Sequence, residues 1–251
     1  MIINTTILKD TFLIGRKPVL DAIESGDRIE KVWIDKMLKG DIEKDIRALC
    51  RNKQIPLQYV PKQKLNDLCS KATHQGVVAQ HAFVEYISIQ QVLPHLYESG
   101  KVPFILVLDG IEDVRNIGGL ARSAVWFDAD AIVVSLKKTA RINSFAMKAS
   151  AGALKDIHFC REKTIGEAVT YLKNSGLQIV VADADSEDST SSIKYDEPIA
   201  LVMGSEGSGV SYALTQMADA KISIPGSKRV ESLNVSNAGA ILMYEIFKNK
   251  I

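Results

Sequence analysis

The sequence predicts an α/β protein in two parts, a larger part with a mostly parallel sheet and a smaller part that precedes it. Five continuous apolar runs follow residue 102, and they read FILVLD, AIVVS, QIVVAD, IALVMG and KISIP. Strands made of unbroken apolar residues are buried on both faces, as in a parallel sheet that helices cover on each side. The first 80 residues differ, because short strand patterns alternate there with helical ones.

The elements of the first part follow one another in a regular order. The stretch GRKPVLDAIESG predicts a helix that places Val19, Leu20 and Ile23 on one side and ends at Gly26. KVWID and PLQYV predict strands, and DIEKDIRALCRNK predicts a helix between them that begins at Asp41. A short helix, KQKLNDLCS, then precedes a last strand, GVVAQ. This alternation indicates a small α/β domain.

The domain boundaries follow from the change in pattern. We expect residues 1–81 to form the first domain and residues 102–251 the second. Between them, residues 82–101 carry a proline and a glycine in QQVLPHLYESGK, which predicts a linker that can hold a short helix within ISIQQVLPHLYES.

Composition limits the class of protein. The chain has 251 residues, of which 46% are hydrophobic and 24% charged, close to the average of soluble globular proteins. Its apolar runs are far shorter than the roughly 18 residues of a membrane span. The start MIINTTILKD lacks the basic segment and cleavage site of a signal peptide. Three scattered cysteines without a CxxC pair indicate reduced thiols. These observations predict a cytoplasmic protein with no membrane partner.

The charges are distributed unevenly between the two parts. Residues 1–80 hold 14 Lys or Arg against 10 Asp or Glu, a balance of +4, and the remainder holds 17 against 20, a balance of −3. A polyanion would therefore bind to the first part. Ordinary solvated surface charge is the alternative explanation for most of these residues.

A first polar phrase, LDGIEDVRNIGGLARSA, begins at the last residue of the strand FILVL. Asn116 can cap the helix that comes next, and Gly118 with Gly119 allows another backbone to approach closely. Arg122 lies six residues after Asn116, which is more than one helical turn. The alternative is an ordinary capped helix with a solvated arginine.

A second phrase, VMGSEGSGVS, is a glycine-rich loop at the end of the strand IALVM. It is not a P-loop, because Val210 rather than lysine follows Gly209, and its glycine spacing does not match the GxGxxG of dinucleotide sites. These mismatches argue against an NTPase and against a nucleotide-binding oxidoreductase. The loop places one carboxylate, Glu206, at the carboxyl end of a buried strand, where ligands bind in open α/β sheets. A surface turn is the alternative.

The third phrase, IPGSKRVESLNVSNAGAILMYEIFK, leads into the last helix. Ala238, Ile241, Leu242 and Ile246 are spaced three or four residues apart and form its apolar stripe. The segment ESLNVSN before them holds more polar groups than one helix cap requires. We expect it to form part of a binding site, with an unusually polar helix cap as the alternative.

A metal site is not expected. No two of His74, His81, His95 and His158 lie three to five residues apart. His95 and Glu98 have HxxE spacing but no further ligand nearby. The chain also contains no G-x-S-x-G nucleophile motif.

Taken in order, the three phrases resemble the SpoU (TrmH-like) class of RNA 2′-O-ribose methyltransferases. The class motifs correspond to NIGGLAR (116–122), GSEGSG (204–209) and SLNVS (232–236), and KASAGAL (148–154) resembles the helix between them. This resemblance covers about 102–248. Two departures from the usual class sequence, DVRN in place of Asp-Pro-x-Asn and IPG in place of Ile-Pro-Met, leave the polar site groups intact.

The first part also resembles a domain found in this class. Its phrases IGRKPVLDAI and HQGVVA are similar to those of the small substrate-binding domain of some members, which has an L30e/L7Ae-like fold. The resemblance therefore implies the 23S rRNA guanosine 2′-O-methyltransferase type ahead of the tRNA guanosine type. It further implies a C-terminal trefoil knot, a homodimer through the knotted domain, and S-adenosylmethionine as methyl donor.

The resemblance also implies roles for individual residues. Those implied at the reaction are Asn116, Arg122, Glu206, Ser232 and Asn234. Those implied at the donor are Met203, Gly204, Ile224, Pro225, Ser232 and Leu233, with Gly204, Ile224 and Leu233 holding the adenosine through backbone and apolar contacts. The candidate RNA phosphate contacts are Arg16, Lys17 and Lys71, for which solubilising surface charge is the alternative.

Arg122 is the residue that class members are often proposed to use as a base. A guanidinium has a pKa above about 12 and stays protonated at neutral pH, so we favour Arg122 as a phosphate clamp that orients the ribose. Glu206 could pair with Arg122, across the dimer interface. A non-catalytic RNA-binding protein with the same fold is the rival hypothesis, and the intact set of polar residues argues against it.

Overall fold

The structure is a computed structural model, and it describes residues 12–69, 72–136, 139, 142–186, 193–227, 229 and 232–250. The chain divides into two compact units, one that ends at Phe83 and one that begins at Val84. We call them the N-terminal unit and the C-terminal unit. Each has a sheet and a hydrophobic core of its own.

The N-terminal unit is a four-stranded sheet with three helices. Its strands are β1 (Phe12–Ile14), β2 (Ile29–Asp35), β3 (Leu57–Val60) and β4 (Val77–His81), and its helices are α1 (Arg16–Ser25), α2 (Asp41–Asn52) and α3 (Lys62–Leu68). The strand order is β1-β4-β2-β3. Strand β4 runs antiparallel to β1 and β2, and β2 runs parallel to β3. The carboxyl ends of β1, β2 and β3 therefore lie at one edge of the sheet.

Helices and strands of this unit follow the sequence patterns closely. Helix α1 buries Val19, Ala22 and Ile23, and it ends at Gly26, whose φ of 87° is the left-handed conformation that favours glycine. The predicted helices and strands are confirmed, and β1 is a strand that the sequence analysis missed. A three-residue strand is too short to show an alternating pattern.

The C-terminal unit is a seven-stranded sheet covered by helices. Its strands are β5 (Tyr86–Ile87), β6 (Phe104–Asp109), β7 (Ala131–Ser135), β8 (His158–Glu162), β9 (Gln178–Ala182), β10 (Ile199–Gly204) and β11 (Ala220–Ile222). Its helices are α4 (Ile89–Glu98), α5 (Val114–Trp126), α6 (Ser144–Ala149), α7 (Ile165–Asn174), α8 (Tyr212–Thr215) and α9 (Val235–Lys250), with a 3-10 turn at Ala153–Lys155.

The sheet of this unit is parallel throughout, with the strand order β11-β9-β10-β6-β7-β8-β5. The central strands β6, β7 and β10 are buried along almost their whole length. Both features confirm the expectation drawn from the unbroken apolar runs. From β6 the chain builds outward on one side through β7 and β8. It then crosses to the other side with β9, and β10 lies between β9 and β6.

The structure places β5 and α4 in the segment for which the sequence predicts a linker. Helix α4 buries Ile89, Val92, Leu93 and Leu96 in the core of the C-terminal unit. A capping box formed by Ser88 and Gln91 begins the helix. Pro94 and Gly100 are residues that often break helices, which is why the sequence predicts a linker with at most a short helix here.

Helix α5 packs closely against two other helices, and glycine makes one of these approaches possible. A Cβ atom at Gly118 would lie 2.5 Å from the Ala149 Cβ and 2.7 Å from the Ala146 carbonyl oxygen of α6. On α9, a Cβ at Gly239 would lie 2.3 Å from a Leu120 methyl group. The expected close approach at these small residues is therefore present.

This packing predicts the effect of adding one methyl group to α5. Gly118→Ala should lower the free energy of unfolding by about 1–3 kcal/mol, because the backbone of α6 must shift to admit the methyl group. Urea unfolding followed by circular dichroism measures the change.

The matched control is Gly166→Ala on α7, where an added Cβ meets no atom within 4 Å. This change should be neutral or stabilise by about 0.4–1 kcal/mol, because alanine restricts the unfolded chain. Equal stabilities of the two variants would contradict the close approach at Gly118.

Candidate functional site

The candidate site lies at the carboxyl ends of two central strands. Strands β6 and β10 are neighbours in the sheet, and Gly204 at the end of β10 pairs with Asp109 at the end of β6. The chain leaves β6 towards β7 on one side of the sheet and leaves β10 towards β11 on the other side, so the direction of the connections switches between β6 and β10. Such a switch point leaves a crevice outside the strand ends, where open α/β sheets bind their ligands.

The loop after β10 turns back tightly on itself and carries Glu206 near its tip. The Gly209 N–H donates to the Ser205 carbonyl oxygen at 2.9 Å, and the two residues form an isolated bridge. A Cβ atom at Gly204 would lie 2.0 Å from the carbonyl carbon of Gly209. Any residue other than glycine at position 204 would therefore force the loop open.

A carboxylate at the end of β6 fixes the far side of this loop. The Ser211 N–H donates to Asp109 Oδ2 at 2.8 Å. Asp109 was not among the predicted site residues. The sequence feature that could have identified it is an acidic residue directly after the run FILVL, at the same edge of the sheet as Glu206.

Asn116 reaches Glu206 from the first turn of α5. The expectation that Asn116 caps this helix was wrong, because Asp113 is the cap and accepts a hydrogen bond from the Arg115 N–H. Asn116 lies in the helix and leaves its amide free of the capping role. Its Nδ2 donates to Glu206 Oε1 at 2.9 Å.

Asn234 supplies both a helix cap and a second link to Glu206. Its Oδ1 accepts from the Ser236 N–H at 3.0 Å, at the first turn of α9. The amide nitrogen therefore faces the other way, and it donates to Asn116 Oδ1 at 3.0 Å and to Glu206 Oε1. The Val235 N–H also lies 3.4 Å from Glu206 Oε1. The extra polarity of ESLNVSN thus serves a contact between segments that are distant in sequence.

We call Asn116, Glu206 and Asn234 the amide–carboxylate cluster. The three phrases singled out in the sequence meet in it, each contributing one residue. An ion pair between Arg115 and Asp113 lies beside it, and the hydrogen bonds from Arg115 lower the pKa of Asp113. The same bonds raise the pKa of Arg115, and the charge of Glu206 adds to that shift.

Two predicted site residues do not join the cluster within one chain. Arg122 is exposed. It lies six residues after Asn116, and at about 100° per residue this is one full turn plus about 240°, so Arg122 lies on another side of α5. Ser232 is also exposed. Neither side chain makes a hydrogen bond or ion pair with another residue of the part of the chain that the structure describes.

The residues expected at the donor lie close to the same strand ends. Met203 is buried in β10, while Ile224 and Pro225 follow β11. Leu233 exposes 44% of its surface directly before Asn234. Within the described residues, the backbone N–H groups of Ser223, Ile224, Gly226 and Ser227 make no hydrogen bond to another backbone group. The segment 223–227 therefore presents four backbone donors next to the apolar side chains of Ile224 and Pro225.

Of the three candidate RNA contacts, two can be located. Arg16 and Lys17 form the first turn of α1, and Lys17 is exposed. Lys71 lies outside the described residues. In that same described part of the chain, no three His, Cys, Asp or Glu side chains are grouped to hold a metal ion. A search of its helices finds none with the length and apolarity to span a membrane.

Known proteins resemble this chain over both units. The family model for the SpoU rRNA Methylase family matches residues 103–244, and the model for RNA 2′-O ribose methyltransferase substrate binding matches residues 12–87. YacO of Bacillus subtilis, assigned to the TrmH family of tRNA/rRNA methyltransferases, is 32% identical over 240 residues, which are 95% of this chain and 96% of YacO. A relative from Staphylococcus haemolyticus with the same family assignment is 31% identical over 243 residues, 97% of each chain.

Solved structures share the fold. The SpoU methyltransferase AviRb from Streptomyces viridochromogenes, in complex with the cofactor AdoMet, matches with a TM-score of 0.60 at 21% identity, over 95% of this chain and 89% of AviRb. An AdoMet-bound rRNA methyltransferase from Sinorhizobium meliloti matches with a TM-score of 0.62 at 20% identity, over 100% of this chain and 97% of that protein. The α/β fold class with a small N-terminal domain is thereby confirmed.

The double role of Asn234 predicts how its loss affects the last helix. Asn234→Ala should lower the free energy of unfolding by about 0.5–2 kcal/mol, because it removes the cap of α9. Amide hydrogen exchange should speed up over the first turn of α9. Asn237→Ala, three residues later, is the control and should leave the exchange rates near those of the parent chain. Unchanged exchange in Asn234→Ala would show that another group caps the helix.

Proposed function

The chain belongs to the SpoU rRNA methylase family, and from this premise we propose that it transfers a methyl group from S-adenosylmethionine to a ribose 2′-hydroxyl of RNA. The amide–carboxylate cluster is the observation that carries the proposal. It gathers polar groups of three separate segments at the strand ends where open α/β sheets bind ligands.

The segments around the cluster fit the proposed donor. An adenosine group needs an apolar surface for its base and hydrogen-bonding groups at its edges. Leu233 offers a half-exposed apolar side chain, and the segment 223–227, which contains Ile224 and Pro225, offers unpaired backbone N–H groups. Met203 and Gly204, at the end of β10, would border the same donor site, and Ser232 would lie at its rim. When bound, S-adenosylmethionine supplies a methyl group on a sulfonium sulfur, so that the neutral thioether of S-adenosylhomocysteine leaves as the O–CH3 bond forms and the 2′-hydroxyl proton passes to water.

The chain must then mainly align the ribose oxygen with the methyl group. Positioning of this kind lowers a reaction barrier substantially. Glu206 and Asn234 hold the Asn116 amide in place. The second N–H of Asn116 Nδ2 makes no hydrogen bond to the described residues, so it can donate to the ribose at a fixed place. Glu206 Oε2 makes no hydrogen bond to the described residues, so it can accept one from a guanidinium.

We propose Arg122 as that guanidinium, acting from the partner chain of a homodimer. One turn after Arg122, Trp126 is 79% exposed, and on the adjacent helix α9 Ile241 and Tyr244 are 44% and 50% exposed. A group of exposed apolar side chains on two packed helices is typical of a protein interface. Covering this surface with a second copy would bring Arg122 to a site that lacks it within one chain. Its planar fork suits a phosphate group, which orients the ribose.

We propose a guanosine of 23S rRNA as the target. The match of the N-terminal unit to a substrate-binding family and the rRNA methylase family of the C-terminal unit support this choice. The relatives are assigned to tRNA/rRNA methyltransferases, so tRNA is the competing substrate. An experiment on cellular RNA decides between them.

The proposed function predicts the loss of one modification. Cells that lack the protein should lose a 2′-O-methyl group at a guanosine of 23S rRNA, and the wild-type gene should restore it.

Arg122→Lys should reduce methyl transfer in vitro at least about tenfold, because lysine cannot form two parallel hydrogen bonds to phosphate. Sequencing-based mapping of 2′-O-methyl sites and transfer of a labelled methyl group provide the two measurements.

Arg47→Lys, an exposed arginine of α2, is the control and should keep its activity. If only tRNA lost a 2′-O-methyl group in these cells, tRNA would replace 23S rRNA as the target. Near-full activity of Arg122→Lys would exclude any need for the planar fork.

The proposed dimer predicts complementation between two inactive variants. In a mixed dimer of Arg122→Ala and Glu206→Ala chains, one site would contain both substitutions and the other neither, if Arg122 acts across the interface. Random mixing of the two variants should therefore restore about a quarter of the wild-type activity, since about half of the dimers are mixed and each has one intact site. No recovery, with mixed dimers verified by two affinity tags, would place Arg122 in the site of its own chain.

A further inference from the structure

The N-terminal unit contains a cavity of its own, separate in sequence from the amide–carboxylate cluster. It lies where the carboxyl ends of β1, β2 and β3 meet, and its volume is about 470 Å³. Small-molecule sites typically have volumes of roughly 300–1,000 Å³. The two phrases that carry the resemblance of this unit, IGRKPVLDAI and HQGVVA, meet here, since the Gly15 N–H donates to the Val77 carbonyl oxygen at 3.0 Å.

Arg16 is held in a fixed orientation at the wall of this cavity. Its Nε donates to the Gln75 carbonyl oxygen at 2.8 Å. Gln75 has a φ of 52°, a conformation that residues other than glycine rarely adopt. Such backbone strain clusters at functional sites. The two Nη groups of Arg16 make no hydrogen bond within the described residues, and Lys62 lines the same cavity.

A buried histidine orients an amide at the cavity. His74 is 4% exposed, and its Nδ1 accepts from the Gly76 N–H at 2.9 Å. The proton of the neutral ring therefore lies on Nε2, which donates to Asn66 Oδ1 at 3.0 Å. The Asn66 amide nitrogen is left with two N–H groups and no hydrogen-bond partner among the described residues. It is a fixed donor on the cavity wall.

An acceptor and an apolar surface complete the lining. Asp35 Oδ1 accepts from the Met37 N–H at 3.0 Å, while Oδ2 has no hydrogen bond to the described residues. Met37 is 81% exposed, although it is a large apolar side chain, and Leu38 lies beside it in the lining. The cavity therefore combines cations, one fixed donor, one acceptor and an apolar surface.

We propose that this cavity receives one unpaired nucleotide of the RNA, a proposal that rests on the proposed function. Its phosphate binds Arg16 and Lys62, its base packs on Met37, and the base edge meets the Asn66 amide and the Asp35 carboxylate. A lone phosphate would use neither the apolar surface nor the carboxylate. A paired base has its edge occupied by its partner, whereas single-stranded bases can be turned outward and read on that edge.

The test compares three ligands, two RNA duplexes and one mononucleotide, bound to the full chain. One is a perfectly paired duplex, the second is the same duplex with one bulged nucleotide, with each base tried in turn, and the third probe is a free nucleoside monophosphate. Fluorescence anisotropy should show the best bulged duplex binding at least about tenfold more tightly than the paired duplex, the gain expected from one stacked and hydrogen-bonded base. Equal affinities for the two duplexes, or a monophosphate that binds as tightly as the bulged RNA, would overturn the proposal.

The decisive variant is Asn66→Asp, which keeps the acceptor for His74 and removes the amide donor. It should abolish the preference for the bulged duplex. Gln63→Glu adds the same charge on the same helix outside the cavity lining, and it should weaken both duplexes alike and keep the preference. A preference retained in Asn66→Asp would contradict the proposed reading of the base edge.

The same preparations separate this proposal from the proposed function. Methyl transfer to RNA without a preference for the bulged duplex would contradict the proposed nucleotide cavity and would still support the proposed enzyme activity. A bulge preference without methyl transfer would support the cavity and overturn the assignment as an active enzyme.

Discussion

Three N–H donors converge on one carboxylate oxygen, Glu206 Oε1, and the arrangement of the candidate site in the C-terminal unit depends on this convergence. The donors are Asn116 Nδ2, Asn234 Nδ2 and the backbone N–H of Val235. They come from the segments after β6 and β11, while the carboxylate comes from the loop after β10. An ionised carboxylate makes stronger hydrogen bonds than a neutral acceptor, so one side chain fixes three segments that lie far apart in sequence.

The backbone around Glu206 has to be shaped before this convergence can form. The loop turns back within five residues, which requires glycine at 204 because Gly209 occupies the space of any side chain. Asp109 then holds Ser211 and fixes the end of the loop on β6. Helix α5 must also lie close to α6, which Gly118 permits. The rigidity of the cluster is therefore a property of the packing beneath it, and this is the preorganisation that a methyl-transfer site needs.

The sequence predicted those features that local chemistry determines. The runs FILVLD and IALVMG have no polar residue until their ends, so burial and parallel pairing followed from them. Asn116 was assigned to the wrong role, because Asp113 and Asn116 are both good caps and only the helix start decides between them. Asp109 was missed, because its partner, the Ser211 N–H, is 102 residues away and is brought near by strand pairing. Among the described residues of one chain, Arg122 makes no hydrogen bond or ion pair, so no contact within the chain assigns it to the cluster.

The charge distribution indicates how the two units divide the work on RNA. The amide–carboxylate cluster has one carboxylate and two neutral amides, so it carries no positive charge to attract a polyanion. The surplus of cations lies in residues 1–80, at +4 against −3 for the remainder. Attraction to phosphate supplies most of the salt-dependent affinity for nucleic acids. On the proposed function, affinity and choice of target would belong mainly to the N-terminal unit, and alignment of the reacting atoms would belong to the C-terminal unit. On this division, changes at Arg16 or Asn66 act on substrate binding, whereas changes at Glu206 act on the transfer step itself.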